Sequence, residues 1–396
     1  MIIIQLTEQI QLKPSPELSH LCHLAKNLYN QANFQYRQFF FNLNEFINYY
    51  DLQVILKEKE CYKQLPAQTS QQILDLVMKN WKSYWKALKE YKINPSKFLG
   101  RPKPPKYKEK NGECVCIFTN QNTRIKDEYI HFPKSCKLEP IKTRIPNYQQ
   151  IRIIPKGNYY ICEIIYNYQE QDLGLNQNNV IGIDLGLNNL ITAVNNQGLQ
   201  PFLIKGGIIK SCNQFYNKIN AFLQSNKDKQ QYDFQTKSQQ KLLRKRNNQI
   251  RDCFHKTSHK VIDYCIENDI GTIVIGYNEG WKQDIKIGKR NNQNFQQLPF
   301  AKLIQQIEYK AQMVGINVIT HEESYTSKCS FLDNESIEKH EVYQGKRIQR
   351  GLFRTSKGQI LNADVNGALN ITKKALPNAF IEGIEDMVLY PYSINI

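Results

Sequence analysis

The 396 residues carry 53 Lys and Arg against 36 Asp and Glu, a formal net charge of +17, with 41% hydrophobic residues. That is chain enough for two or three domains with a sizeable core, and the charge calls for a polyanionic partner, nucleic acid first, because neutralising phosphates releases counterions. No apolar run approaches the ~18 residues of a spanning helix, which argues against a membrane role. The opening M-I-I-I-Q-L-T-E-Q-I lacks a charged region and a cleavage site and reads as a strand, so no export signal is expected. Ten cysteines are scattered from Cys22 to Cys329 with no C-x-x-C pair. This favours buried or free thiols in a reducing cytoplasm over disulfides or a zinc ribbon.

After that strand, Pro14 and Pro16 punctuate the chain, and Leu21, Ala25, Leu28, Ala32, Tyr36 and Phe39 follow on one helical face. A second helix is expected to start at Thr69 or Ser70, with Ile73, Val77, Trp81, Tyr84, Leu88 and Tyr91 inward and Lys79, Lys82, Lys86 and Lys89 outward. Residues 100–110, G-R-P-K-P-P-K-Y-K-E-K, are proline-rich and basic, hence extended, and offer Arg101, Lys103 and Lys106 to phosphate. Short β-like runs at 114–119, 129–132, 151–155 and 159–166 predict a small barrel completed by the first strand, with the helices inserted in it. The boundaries expected are 1–13 for that strand, 14–99 for a helical lobe, 100–175 for the rest of the barrel and 176–396 for a further domain.

That domain opens on V-I-G-I-D-L-G-L-N-N-L-I-T-A-V at 180–194. Side chains alternate along a strand, so Asp184 shares a face with Gly182 and Gly186, and glycines in a strand often mark close approach by a ligand or another backbone. The competing reading is a solvated Asp beside a turn. Runs at 190–194 and 200–204 give three antiparallel strands, followed by a long helix over 237–267, a strand over 272–275, a helix after Pro299 and a strand over 316–320. That order is the order of an RNase H-like sheet, an α/β fold whose strand ends commonly hold acids for metal-dependent phosphodiester chemistry. Lys237, Lys241, Arg244, Lys245, Arg246, Arg251 and Lys256 crowd the long helix and would repel one another without an acidic partner. Asp364 stands at a helix start in N-A-D-V-N-G-A-L-N-I, where the small residues Ala363, Gly367 and Ala368 let a helix lie close to a sheet. Helix-dipole stabilisation alone would also account for an acid there.

I-G-I-D-L-G at Ile181, L-L-R-K-R-N-N-Q-I-R-D-C-F-H-K at Leu242, Y-T-S-K at Tyr325 and N-A-D-V-N-G-A-L-N-I at Asn362 together resemble the TnpB (OrfB) proteins of bacterial insertion sequences, relatives of type V CRISPR effectors and of Fanzor proteins. L-P-A-Q at Leu65 and G-R-P-K-P-P-K-Y-K at Gly100 extend the likeness over nearly the whole chain. The resemblance implies a RuvC-type, RNase H-like nuclease domain beside a wedge-like β-barrel with an inserted helical recognition lobe. It further implies a cytoplasmic, prokaryotic, nucleoid-associated enzyme that takes a guide RNA from the transposon end and reads a short adjacent motif. Target DNA would be cleaved with two Mg²⁺ ions, or Mn²⁺, and metal-bound water as nucleophile.

Two departures stand out. The strand at 272–275 ends in Gly276 where the family's catalytic Glu is usual. Rearranged relatives supply the acid from the next strand, which here offers Glu322 and Glu323; alternation lets only one face the metals, and spacing to Thr326 selects Glu323 with Glu322 as alternate. Glu279 is a weaker competitor. The expected ligands are thus Asp184, Glu323 and Asp364. Between Tyr325 and Asp364 only Cys329 and His340 remain where two cysteine pairs are common, so no structural zinc is expected, and a basic loop over about 328–360 with Lys328, Arg347 and Arg350 contacts nucleic acid instead. A guide-dependent DNA-binding repressor without cleavage is the alternative that Gly276 motivates. A transposase or recombinase on the same fold stands behind it.

Overall fold

Ile4 and Leu6 turn inward and their neighbours outward along the first strand, β1 (Ile3–Leu12), the alternation of a half-buried strand. The computed structural model describes residues 3–278, 288, 292–293, 296–381 and 390–396. These fall into two units, Gln5–Tyr168 and Gln169–Ile396 with Met1–Ile4.

In the first unit, Ser15 caps α1 (Pro16–Asn42), its hydroxyl accepting from the Leu18 amide, with Pro16 in the first turn. The expected apolar face is buried from Leu21 to Tyr36, and Trp81 stacks on Tyr36 at 4.2 Å. Two helices without a strong sequence pattern follow, α2 (Tyr49–Leu56) and α3 (Glu60–Lys63). The second long helix, α4 (Ala67–Ile93), starts directly after Pro66 and so before the expected caps. Thr69 and Ser70 are buried inside its first turn, and the Ser70 hydroxyl donates to the Tyr62 carbonyl.

The proline-rich segment is extended and tied along α1. Asn33 and Arg37 donate to the Pro105 carbonyl, Asn30 exchanges two bonds with Lys108, and Lys26 donates to the Lys110 carbonyl. Beyond it come β2 (Cys116–Thr119), β3 (Arg124–Lys126), β4 (Tyr129–His131), β5 (Ile141–Lys142), β6 (Gln150–Pro155) and β7 (Tyr160–Gln169). Where a single small barrel is expected, they form two sheets, one ordered β1-β7-β6-β2 and one ordered β3-β4-β5. β1 does complete the larger sheet.

The second unit is built on β8 (Val180–Leu185), β9 (Asn189–Asn195) and β10 (Phe202–Lys205), antiparallel in turn. Two helices follow, α5 (Gly207–Lys229) and α6 (Lys237–Glu267), the latter closed by a capping box of Thr236 and Gln239. Then come β11 (Thr272–Gly276), α7 (Phe300–Met313) and β12 (Asn317–His321). The small strands β13 (Lys346–Gln349), β14 (Leu352–Arg354) and β15 (Ile360–Asn362) form a sheet of their own before α8 (Ala363–Ala375) and β16 (Tyr392–Ile394). The main sheet is ordered β12-β11-β8-β9-β10-β16, with β8, β11 and β12 parallel, so their carboxyl ends lie side by side.

α8 rests directly on β8. A Cβ at Gly182 would stand 1.6 Å from the Thr372 hydroxyl oxygen and 3.1 Å from the Ala368 carbonyl. Gly182→Ala is therefore expected to lower stability by about 1–3 kcal/mol, the usual range for an overfilled core, as a thermal melt of the purified chain will read.

Candidate active site

Three parallel strand ends and one helix start converge on the same edge of the main sheet. Asp184 pairs across β8–β9 with Thr192, and Gly276 on β11 pairs with His321 on β12. Glu322 and Glu323 follow immediately. Asn362 caps α8, its side-chain oxygen accepting from the amides of Asp364 and Val365, which puts Asp364 in the first turn.

The acids act on one another. Burial, then the nearby Glu323 and Asp364 carboxylates, push Asp184 up to about 8. Burial and Glu322 push Glu323 up to about 7. Glycines make the room for this crowding: a Cβ at Gly276 would lie 2.8 Å from Glu323 Oε2, and one at Gly367 would lie 3.1 Å from Asp184 Oδ2. The space beside Gly276 is shared by the Ile371 and Glu323 side chains, the first of which lies nearer.

Glu322 faces elsewhere. Lys374 Nζ donates to its Oε2 at 2.6 Å and the Ser324 amide to its Oε1, and these bonds hold it down at about 2. The Asn278 side-chain oxygen takes the Glu323 amide at 2.9 Å, fixing the opposite sense for its neighbour. Glu279 lies outside the described residues.

Asp364 is engaged on both oxygens. Asn189 Nδ2 donates to Oδ2 at 2.8 Å and Arg347 to Oδ1 at 3.2 Å. Among the described residues no three His, Cys, Asp or Glu side chains are gathered closely enough to hold one ion. The three side chains are nonetheless all carboxylates, the oxygen donors that hard divalent cations select.

The basic residues divide into two groups. Arg101, Lys103, Lys106, Lys241, Lys245, Lys256, Lys328, Arg347 and Arg350 are exposed, Lys256 beside Asp252 and Lys328 over the Tyr343 ring. Arg244 and Arg251 are half-buried. Arg246 serves the protein itself, donating to the Asn213 side chain and the Gln297 carbonyl and lying 5.3 Å from the Tyr216 ring centre. Asn189, Asn278 and Lys374 support the acids without any signal in the sequence, since surface Asn and Lys are common and only the fold brings them there.

Residues 163–282 match a family model described as a probable transposase (OrfB, IS605 type), and residues 300–371 match the TNB domain of Cas12f1-like proteins. The chain is 26% identical to a TnpB-like protein, ORF457 of Acidianus two-tailed virus, over 91% of its own length and 83% of the relative's. It is 29% identical to the CRISPR-associated endodeoxyribonuclease Cas12f1 of Sulfoacidibacillus thermotolerans over 56% of this chain, spanning about half (51%) of that protein. Among solved structures, a Cas12f1–sgRNA–target DNA complex aligns with TM-score 0.56 at 16% identity, over 89% of this chain and 81% of the other. The mini RNA-guided endonuclease Cas_phi3 aligns with TM-score 0.52 at 10% identity, over 94% and 92%. These structures share the mixed α/β fold.

Proposed function

We propose that this chain, which belongs to the TnpB (OrfB) family related to the type V effectors, is an RNA-guided DNA endonuclease whose acids Asp184, Glu323 and Asp364 hold Mg²⁺. The observation that carries it is the approach of three carboxylates from β8, the end of β12 and the start of α8, with Asp184 raised by burial and by the other two, and Glu323 by burial and by Glu322. The sheet order fits an RNase H-like core of the RuvC type, and the first unit fits the wedge and recognition lobe.

Divalent ions bound there supply charge stabilisation to the attacking and leaving oxygens of a phosphodiester displacement. Asp184 lies on the sheet between two glycines, Gly182 giving the space that α8 occupies and Gly186 the space taken by the Asn189 carbonyl. Asn189 holds one oxygen of Asp364, and Arg347 offers the other a guanidinium that a DNA phosphate would also attract. Water is the attacking group, and no serine, cysteine or tyrosine is assigned as a nucleophile. Sequence choice falls to a transposon-derived guide pairing with target DNA, while the protein reads backbone shape and a short flanking motif.

The exposed lysines of α6 carry phosphate contacts. Lys241→Ala with Lys245→Ala is expected to weaken guide RNA binding and to reduce the slope of log affinity against log salt by about 1.4–1.8, roughly 0.7–0.9 per lost contact. Arg246→Ala is expected to lower the melting temperature with that slope unchanged. Filter binding across a salt series separates the two.

The ion pair of Arg347 with Asp364 favours a second reading, a guide-dependent DNA-binding repressor in which the acids stay closed by the guanidinium. Target DNA bound but intact in Mg²⁺ would establish it. The test of the main reading is to sequence the RNA that co-purifies and then assay cleavage of DNA matching its guide portion.

A further inference from the structure

Asn366, Asn370 and Lys374 recur every four residues and so form one stripe along α8. Another face of the helix, with Gly367, Ala368 and Thr372, meets β8 and Asp184. The polar stripe instead takes hold of the loop that follows Glu323. Asn366 donates to the Cys329 carbonyl at 2.8 Å and accepts from the Phe331 amide at 3.0 Å. Asn370 donates to the carbonyls of Thr326, at 2.9 Å, and Cys329, at 2.8 Å. Lys374 donates to the Ser324 carbonyl and to Glu322, and its own carbonyl meets His321 Nε2 at 3.2 Å.

Both asparagines are fully buried, and Asn370 Oδ1 has no hydrogen-bond partner among the described residues. Asn370 spends its amide hydrogens on the Thr326 and Cys329 carbonyls, so a leucine there would take both donors from the loop. The loop it grips is strained: Tyr325 has φ +66°, a left-handed conformation unusual for an aromatic residue. Such a conformation persists only where its surroundings over-determine it. The Glu323 carbonyl accepts from the Thr326 hydroxyl at 2.8 Å, which passes the grip on Thr326 back to Glu323.

From this geometry we propose that Asn366, Asn370 and Lys374 are positioning residues, a latch by which the helix carrying Asp364 sets where Glu323 stands against Asp184. The latch rests on the reading of these acids as cation ligands. Partners that orient ligands without touching the metal typically govern affinity by 10–100-fold.

The test uses the full chain with its guide RNA and Mn²⁺ as probe, free Mn²⁺ being read by electron paramagnetic resonance and cleavage being titrated with Mg²⁺ in parallel. Asn370→Leu is expected to fold, to bind guide and target as wild type does, to bind Mn²⁺ about tenfold more weakly and to need about tenfold more Mg²⁺ for half-maximal cleavage. Lys374→Met, at the more accessible end of the stripe, provides a second variant if Asn370→Leu does not fold, with a smaller shift of about threefold in both readouts. Wild-type Mn²⁺ affinity and Mg²⁺ dependence in a folded variant overturn the latch while leaving the cation site in place. A wild-type chain that binds no Mn²⁺ overturns the cation site itself, and the latch with it.

Discussion

Glu323→Gln is expected to abolish cleavage of guide-matched DNA, by about 10³-fold or more, the scale of losing a group that stabilises transition-state charge. Guide RNA and target binding should survive, because the proposed phosphate contacts lie on other elements. Glu322→Gln, one residue earlier, is expected to leave cleavage within about threefold, since the alternation of a strand end aims adjacent side chains apart. Lys374 and the Ser324 amide already hold Glu322. Gel assays of both variants with a shared guide read the difference directly. Equal losses in the two would mean that the pair acts together through the β12 end, and cleavage surviving Glu323→Gln would return the missing acid to another segment.

The second large effect is at Asp184, and it has a stability signature as well as a catalytic one. Asp184→Asn is expected to stop cleavage to the same extent as Glu323→Gln. In the cation-free chain Asp184 is raised from an ordinary 3.8 to about 8. The folded state therefore keeps a proton that the unfolded state has released, and stability falls as pH rises from about 4 through about 8. Glu323, raised to about 7, adds to the same trend. Asp184→Asn carries no charge to bury, so in chelator at pH 8.5 it should melt above wild type, and near pH 4 the two should coincide. Added Mg²⁺ should raise the wild-type melting temperature more at pH 8.5 than at pH 6, where protons compete for the same oxygens. A wild-type melting curve that is flat over this range would mean that Asp184 sits charged and solvated.

Much of the second unit is legible in the sequence because buried parallel strands leave continuous apolar runs and the glycines around Asp184 break them in a distinctive place. The gap at Gly276 is legible only through the family resemblance, which implies an acid at that strand end or, in rearranged relatives, one strand further along. Spacing to Thr326 selects Glu323 over Glu322 in the sequence, but the lysine that meets Glu322 is seen only in the fold. α5 escaped because only Ile209 and Asn213 are buried in its 23 residues, leaving no apolar stripe to read. β16 is three residues long and pairs with β10 across nearly two hundred positions of chain. At the start of α4, Thr69 and Ser70 have the side chains of caps, but Pro66 begins the helix first and packing claims them for the interior. The asparagines of α8 read as ordinary helix residues until the loop they hold is seen against them. Arg246 shows the converse, a residue of a basic run that spends its guanidinium inside the fold.

The most direct measurement is cleavage of a plasmid carrying a sequence complementary to the guide portion of the co-purified RNA, with a library of flanking sequences, in Mg²⁺. The account predicts double-strand breaks that require the guide match and one short flanking motif, and that vanish in Glu323→Gln but persist in Glu322→Gln. Plasmid that is bound in a guide-dependent way and stays intact with the wild-type chain would contradict it.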